Sequence, residues 1–89
     1  MERIVLSIHE RKALRYSLLK KIYEHYFNSG GIRYTEKFEK TDVEKLLAFR
    51  YLYNKGYIKF TGSDLRTEYE VNADLLVDGI DIVEAQATN

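Results

Sequence analysis

The chain has 89 residues, 45% of them hydrophobic and 31% charged, with no cysteine, no proline and eight tyrosines. That length supports one domain with a single modest core, and no apolar run approaches the ~20 residues needed to cross a bilayer. The missing cysteine excludes disulfides, thiol catalysis and cysteine-bearing zinc sites, and the formal charge of zero conceals 13 Lys/Arg against 7 Asp/Glu in residues 1–60 and 1 against 7 in residues 61–89.

A basic stretch followed by an acidic one has two readings. It marks a binding half beside a half that faces elsewhere or pairs with a second copy, or it marks two solvated faces whose charges cancel in the fold. No basic segment with an apolar run and a small-residue cleavage site opens the chain, so the expected location is cytoplasmic.

Residues 1–7 are apolar and β-branched enough for a short strand or an N-terminal arm. Ser7-Ile8-His9-Glu10 then has the S-x-x-E form of a capping box, which places a helix start near Ile8. Leu14, Leu18, Ile22 and Tyr26 follow at successive i+4 steps with Leu19 and Tyr23 beside them, one broad apolar stripe. Asn28-Ser29-Gly30-Gly31 ends that helix through glycine. Ile32-Arg33-Tyr34 reads as a short strand. Thr35 to Lys40 is expected to be a shortened helix anchored by Phe38, because only about one and a half turns fit before Thr41.

Thr41 or Asp42 can cap a second, longer helix that stops at Asn54-Lys55-Gly56. Its spacing puts Leu46, Phe49, Leu52 and Tyr53, with Ala48, on one side, and Val43, Leu47, Arg50, Tyr51 and Asn54 on the other. Both sides carry large apolar groups, so such a helix should be covered most of the way round, by the chain itself or by a partner.

Beyond Gly56, Tyr57-Ile58-Lys59-Phe60 and Glu68-Tyr69-Glu70-Val71 alternate with the period of half-buried strands. The loop-like stretch Thr61 to Thr67 between them predicts a hairpin over residues 57–71 with a seven-residue tip. Asn72 or Asp74 is expected to cap a last helix from Ala73 to about Ala85, with Leu76, Ile80 and Val83 on one stripe. Gly79 beside that stripe implies close approach of another helix. Residues 86–89 should fray.

The run KALRYSLLKKIYEHYF, the pattern LxxxGYI at Leu52 to Ile58 and the closing ADLLVDGIDIVE resemble small winged-helix proteins of bacteria, phages and archaeal viruses. The chain looks YjcQ-like, with a helix and wing order similar to MarR-type regulators. The resemblance implies an α+β fold, a single winged-helix domain over residues 1–89. By the same resemblance it would be a DNA-binding transcription regulator of viral or prophage type, acting as a homodimer in the cytoplasm, the host's if viral. It also implies that Leu52, Phe49 and Ala48 are core and that Val43, Leu47, Arg50, Tyr51 and Asn54 turn outward. The chain departs from the pattern at Thr35 to Lys40, where a full positioning helix is lacking.

As a recognition helix, the second helix would offer Arg50 and Asn54, one turn apart, to guanine and adenine edges, with Tyr51 beside them. Lys40 near its start and Arg66 at the hairpin tip would meet phosphate or a minor groove of double-stranded DNA. Glu44, Glu68 and Glu70 would oppose it. Alternatively, Val43, Leu47, Arg50 and Tyr51 have the composition of a protein interface core, and Leu76, Ile80 and Val83 of the last helix could close a twofold dimer. Some of the tyrosines should line a contact surface, since a core this small cannot pair every hydroxyl.

Catalysis finds little support. His9 and His25 lie about 24 Å apart along one helix at ~1.5 Å per residue, too far to share a metal or a proton. Asp74, Asp78 and Asp81 form an acidic face without the glycine-bearing loop of a calcium site. With no phosphate-binding glycine loop, nucleophile elbow or HExxH, the chain is expected to be no enzyme and to carry neither cofactor nor metal.

Overall fold

A computed structural model describes residues 6–87. The first helix, α1, spans Ile8–Asn28, and its capping box is formed: Glu10 N–H donates to Ser7 Oγ at 3.1 Å and Ser7 N–H to Glu10 Oε1 at 2.9 Å. The hydrogen bond from the Ser7 backbone holds the Glu10 carboxyl below its ordinary range, reinforced by the Ser7 side chain. At the other end Ser29 Oγ donates to His25 O at 2.6 Å, and Gly30 and Gly31 take φ of 73° and 95°, which turns the chain out of the helix.

Residues expected to form a shortened helix are instead strand β1, Tyr34–Glu39. A helix of so few turns leaves most of its backbone groups unpaired, whereas an extended chain pairs along β3 over its whole length, with Tyr34 opposite Ala73 and Glu39 opposite Glu68. Alternation then turns Phe38 inward, 6% exposed, and brings Glu36 to Lys45, whose ammonium it binds.

Helix α2 spans Val43–Asn54 with Asp42 as its cap, the carboxylate accepting from Lys45 N–H at 3.2 Å. Gly56 at φ 79° reverses the chain into β2, Ile58–Asp64, and β3, Glu68–Leu75, follows. The sheet order is β1-β3-β2, antiparallel throughout, so the last strand lies between the other two.

The hairpin is longer and its register differs from the expectation. Ile58 pairs with Leu75 and Phe60 with Ala73, while residues 62–64 face 71–69, so residues 57–60 do not lie opposite 68–71. Only Leu65, Arg66 and Thr67 separate the strands. Thr61 to Asp64 reads as loop because both faces of the ribbon are exposed there, and a strand buried on neither face needs no apolar alternation.

Helix α3, Val77–Ala87, also begins later than expected. Val71, Ala73 and Leu75 alternate into the core as strand residues, each at most 8% exposed. Leu76 is the junction: its N–H donates to Tyr57 O and its carbonyl accepts from Ile80 N–H, each at 3.0 Å. The close neighbour of Gly79 is therefore main chain of the α2–β2 turn, not a helix, since a Cβ there would stand 2.3 Å from Tyr57 O.

The core lies between α1, α2 and one face of the sheet: Leu18, Leu19, Ile22, Phe49, Leu52, Ile58 and Val71 are each no more than 3% exposed. Phe49 is wholly buried and stacks on Phe38 with ring centroids 5.9 Å apart. The architecture is thus an α+β domain of three helices and a three-stranded antiparallel sheet.

Candidate nucleic-acid interface

Packing divides α2 into two faces. Ala48, Phe49 and Leu52 enter the core, while Leu47 is 51% exposed, Tyr51 is 39% exposed, and Arg50 and Asn54 are exposed beside them. Val43, at the start of the helix, is half-buried.

Residues of α1 join that outer face, and the sequence reading did not associate them with it. Arg11 holds Glu44 by two parallel bonds, Nε to Oε1 at 3.0 Å and a terminal nitrogen to Oε2 at 2.8 Å. Hydrogen bonding to Glu44 raises the Arg11 pKa further, and the carboxylate expected to repel phosphate is thereby neutralised at the surface. One turn on, the Arg15 guanidinium lies over the Tyr51 ring, 4.1 Å from its centroid, and Lys55 approaches the same ring at 5.9 Å. The signal available beforehand was the cationic spacing Arg11-Lys12-Arg15. Only the crossing of α1 on α2 shows that it faces Tyr51.

The remaining candidates lie at the opposite end of α2. Lys40 caps the open end of the sheet: its N–H donates to Thr67 O at 3.2 Å and its ammonium pairs with Asp64. Arg66 is exposed in the hairpin turn. The Arg50–Asn54 pair lies towards the far end of α2, which is about 18 Å long at ~1.5 Å per residue. Among the described residues no carboxylate lies within ion-pair distance of Lys12, Arg15, Arg50, Lys55 or Arg66.

The interface candidates on the last helix separate. Val83 is 4% exposed and is core, Ile80 packs against the core, and Leu76 sits half-buried at the strand–helix junction. The first half of α3 turns Val77, 69% exposed, outward with Asp78 and Asp81. The charge asymmetry is partly spent inside the fold, since Lys40–Asp64 and Arg33–Asp74 each join the basic stretch to the acidic one.

Two tyrosines are tied to carboxylates. Tyr23 O–H donates to Glu84 at 2.8 Å, which raises its pKa. Tyr34 O–H donates to Glu36, and burial with that bond pushes its pKa far up. Burial pushes Glu36 up, but the hydrogen bonds from Lys45 and Tyr34 outweigh it and leave the carboxyl below its ordinary range.

His25 Nε2 is 3.2 Å from Arg33 O, and His9 is exposed near the start of α1. Among the described residues no group of three His, Asp or Glu could hold a metal ion, and no helix is long and apolar enough to cross a membrane. No protein-family model matches the chain, and neither a curated protein nor a solved structure matches it at a significant level.

Proposed function

We propose that the chain is a small winged-helix DNA-binding domain of a transcription regulator, with α2 as the recognition helix and the β2–β3 hairpin as the wing. The observation that carries this reading is the outer face of α2. Arg50 and Asn54 stand one turn apart and exposed, beside Tyr51 with Arg15 and Lys55 around it, on a helix that passes through Gly56 directly into the hairpin. The placing of β3 between β1 and β2 and the passage from α2 into the hairpin support a winged helix, although the chain has one helix fewer before α2 than that pattern. Arginine and asparagine are the side chains that pair bidentately with guanine and adenine. Lys12 and Arg15 of α1 and Arg66 of the hairpin serve as the phosphate contacts, in place of the helix that usually precedes a recognition helix.

Fluorescence anisotropy on a mixed-sequence duplex tests this reading. Binding should weaken steeply between low and moderate salt, the slope of log K against log salt falling by about 0.9 for each phosphate contact. Arg66→Ala should lower that slope by about 1, and Arg50→Ala should weaken binding at every salt concentration. Absence of binding at low salt refutes it.

A second reading is favoured by Leu47, which is 51% exposed between Val43 and Tyr51. That apolar strip with flanking arginine suits a protein partner or a second copy. A stable dimer in sedimentation that Leu47→Glu converts to monomer, without DNA binding, would replace the first reading by this one.

A further inference from the structure

Like charges face each other at the open end of the sheet. Glu39 and Glu68 are directly opposite in the β1–β3 ladder, and among the described residues neither has a cation within ion-pair distance. Such a pair pushes its strands apart, and from Thr61 to Asp64 the ribbon is too exposed for apolar packing to hold it. Lys40 supplies three ties across this end. Its N–H donates to Thr67 O at 3.2 Å, its ammonium lies 5.8 Å from the centre of the Tyr69 ring, and the same ammonium pairs with Asp64. Asp64 and Tyr69 face each other across β2 and β3, so one side chain from the end of β1 reaches over the middle strand to the far edge. Two residues on, Asp42 caps α2 and donates its N–H to Glu39 O at 2.9 Å. Arg66 is exposed in the turn that these ties enclose.

We infer that Lys40 is a positioning residue for the proposed DNA contact: it fixes the Leu65–Thr67 turn to the base of α2 and thereby aims Arg66, and it does not itself meet phosphate. The inference rests on the reading of Arg66 as a phosphate contact. Lys40, expected from the sequence to touch DNA, has its charge shared between a carboxylate and a ring face. Arg66, among the described residues, has no carboxylate within ion-pair distance. An exposed ion pair alone contributes little, but here it acts with a main-chain bond and a ring contact from the same residue, on strands that Glu39 and Glu68 would otherwise part. A turn ordered before binding loses less freedom when its arginine meets a phosphate.

A double-mutant cycle on the full chain, followed by fluorescence anisotropy on a mixed-sequence duplex over a range of salt, separates positioning from contact. Arg66→Ala and Lys40→Gln should each lower the slope of log K against log salt by about 1, and the double variant should also lower it by about 1, because both changes remove the same contact. Lys40→Arg, which keeps a cation for Asp64 and Tyr69, should match the parent chain. A loss of about 2 in the double variant would reveal an independent phosphate contact and overturn the inference. Nitrogen-15 relaxation of the free protein gives a readout that needs no DNA. The order parameters of Leu65, Arg66 and Thr67 should fall from about 0.85 to about 0.6 or less in Lys40→Gln and in Asp64→Asn. Unchanged values in Lys40→Gln would equally overturn the inference. Absence of binding by the parent chain refutes the DNA reading, and the relaxation result distinguishes that failure from failure of the clamp.

Discussion

Gly79→Ala sets local helix propensity against tertiary contact. In an exposed helix interior the change from glycine to alanine stabilises by about 1 kcal/mol. Here the added Cβ would stand 2.3 Å from the Tyr57 carbonyl oxygen, 3.1 Å from its carbonyl carbon and 3.0 Å from Leu75 Cδ1. The leucine methyl can rotate aside. The carbonyl cannot, because it belongs to the main chain of the turn between α2 and β2 and accepts the Leu76 N–H at 3.0 Å. Relief therefore requires α3 to withdraw from that turn, which strains or breaks the Leu76 bond and loosens Val83. Overpacking costs roughly 1–3 kcal/mol and the hydrogen bond about 0.5–1.5 kcal/mol. Against a propensity gain of about 1 kcal/mol, the net loss is about 2 kcal/mol, a fall in Tm of roughly 8–16 °C for a domain this small. Thermal unfolding followed by far-ultraviolet circular dichroism measures it. An unchanged or raised Tm would refute the claim that α3 is seated on the Tyr57 carbonyl.

Glu36→Gln leaves Lys45 without its carboxylate in a place where the two side chains are only 15% and 22% exposed, and should cost about 2 kcal/mol at neutral pH in urea unfolding. Because the folded-state pKa of Glu36 is depressed, its contribution is complete above the unfolded carboxylate value of about 4.3 and is lost as pH falls through the folded value. The stability of Glu36→Gln should accordingly decline less between neutral pH and strong acid than that of the parent chain. Phe49→Ala removes a ring that is 0% exposed and stacked on Phe38, with an expected loss of about 4 kcal/mol in the same assay, whereas Arg50→Ala, one residue along on the outer face, should stay within about 0.5 kcal/mol.

The elements that were legible in the sequence are those whose signals are local. Ser7 and Glu10 announce the start of α1 because a capping box closes within three residues. Asp42 and Gly56 bracket α2 for the same reason, one by accepting a nearby N–H and the other by adopting a positive φ. The inward set Ala48, Phe49 and Leu52 came from the resemblance rather than from spacing, since an apolar pattern on both sides of a helix does not say which is covered. The outward set with Arg50 and Asn54 came from the same resemblance, and Arg66 was legible as a residue of a loop-like hairpin tip, while Arg11 and Arg15 acquire their places on Glu44 and Tyr51 only through the crossing of α1 on α2.

Where the fold departed from expectation, pairing between distant segments decided the outcome. Residues 34–39 and 72–75 have weak preferences of their own, and each becomes strand because the other, or β2, supplies the partner for its backbone groups. The same pairing moved the start of α3 to Val77 and returned Val83 from a proposed interface to the core. The sequence alone settled the start of α1 and the glycine turns that end α1 and α2, since those bonds close within a few residues. Which strand edges meet, which backbone a glycine must clear and how Arg15 comes to lie over Tyr51 depended on contacts between different elements of the chain, and only the folded arrangement brings those together.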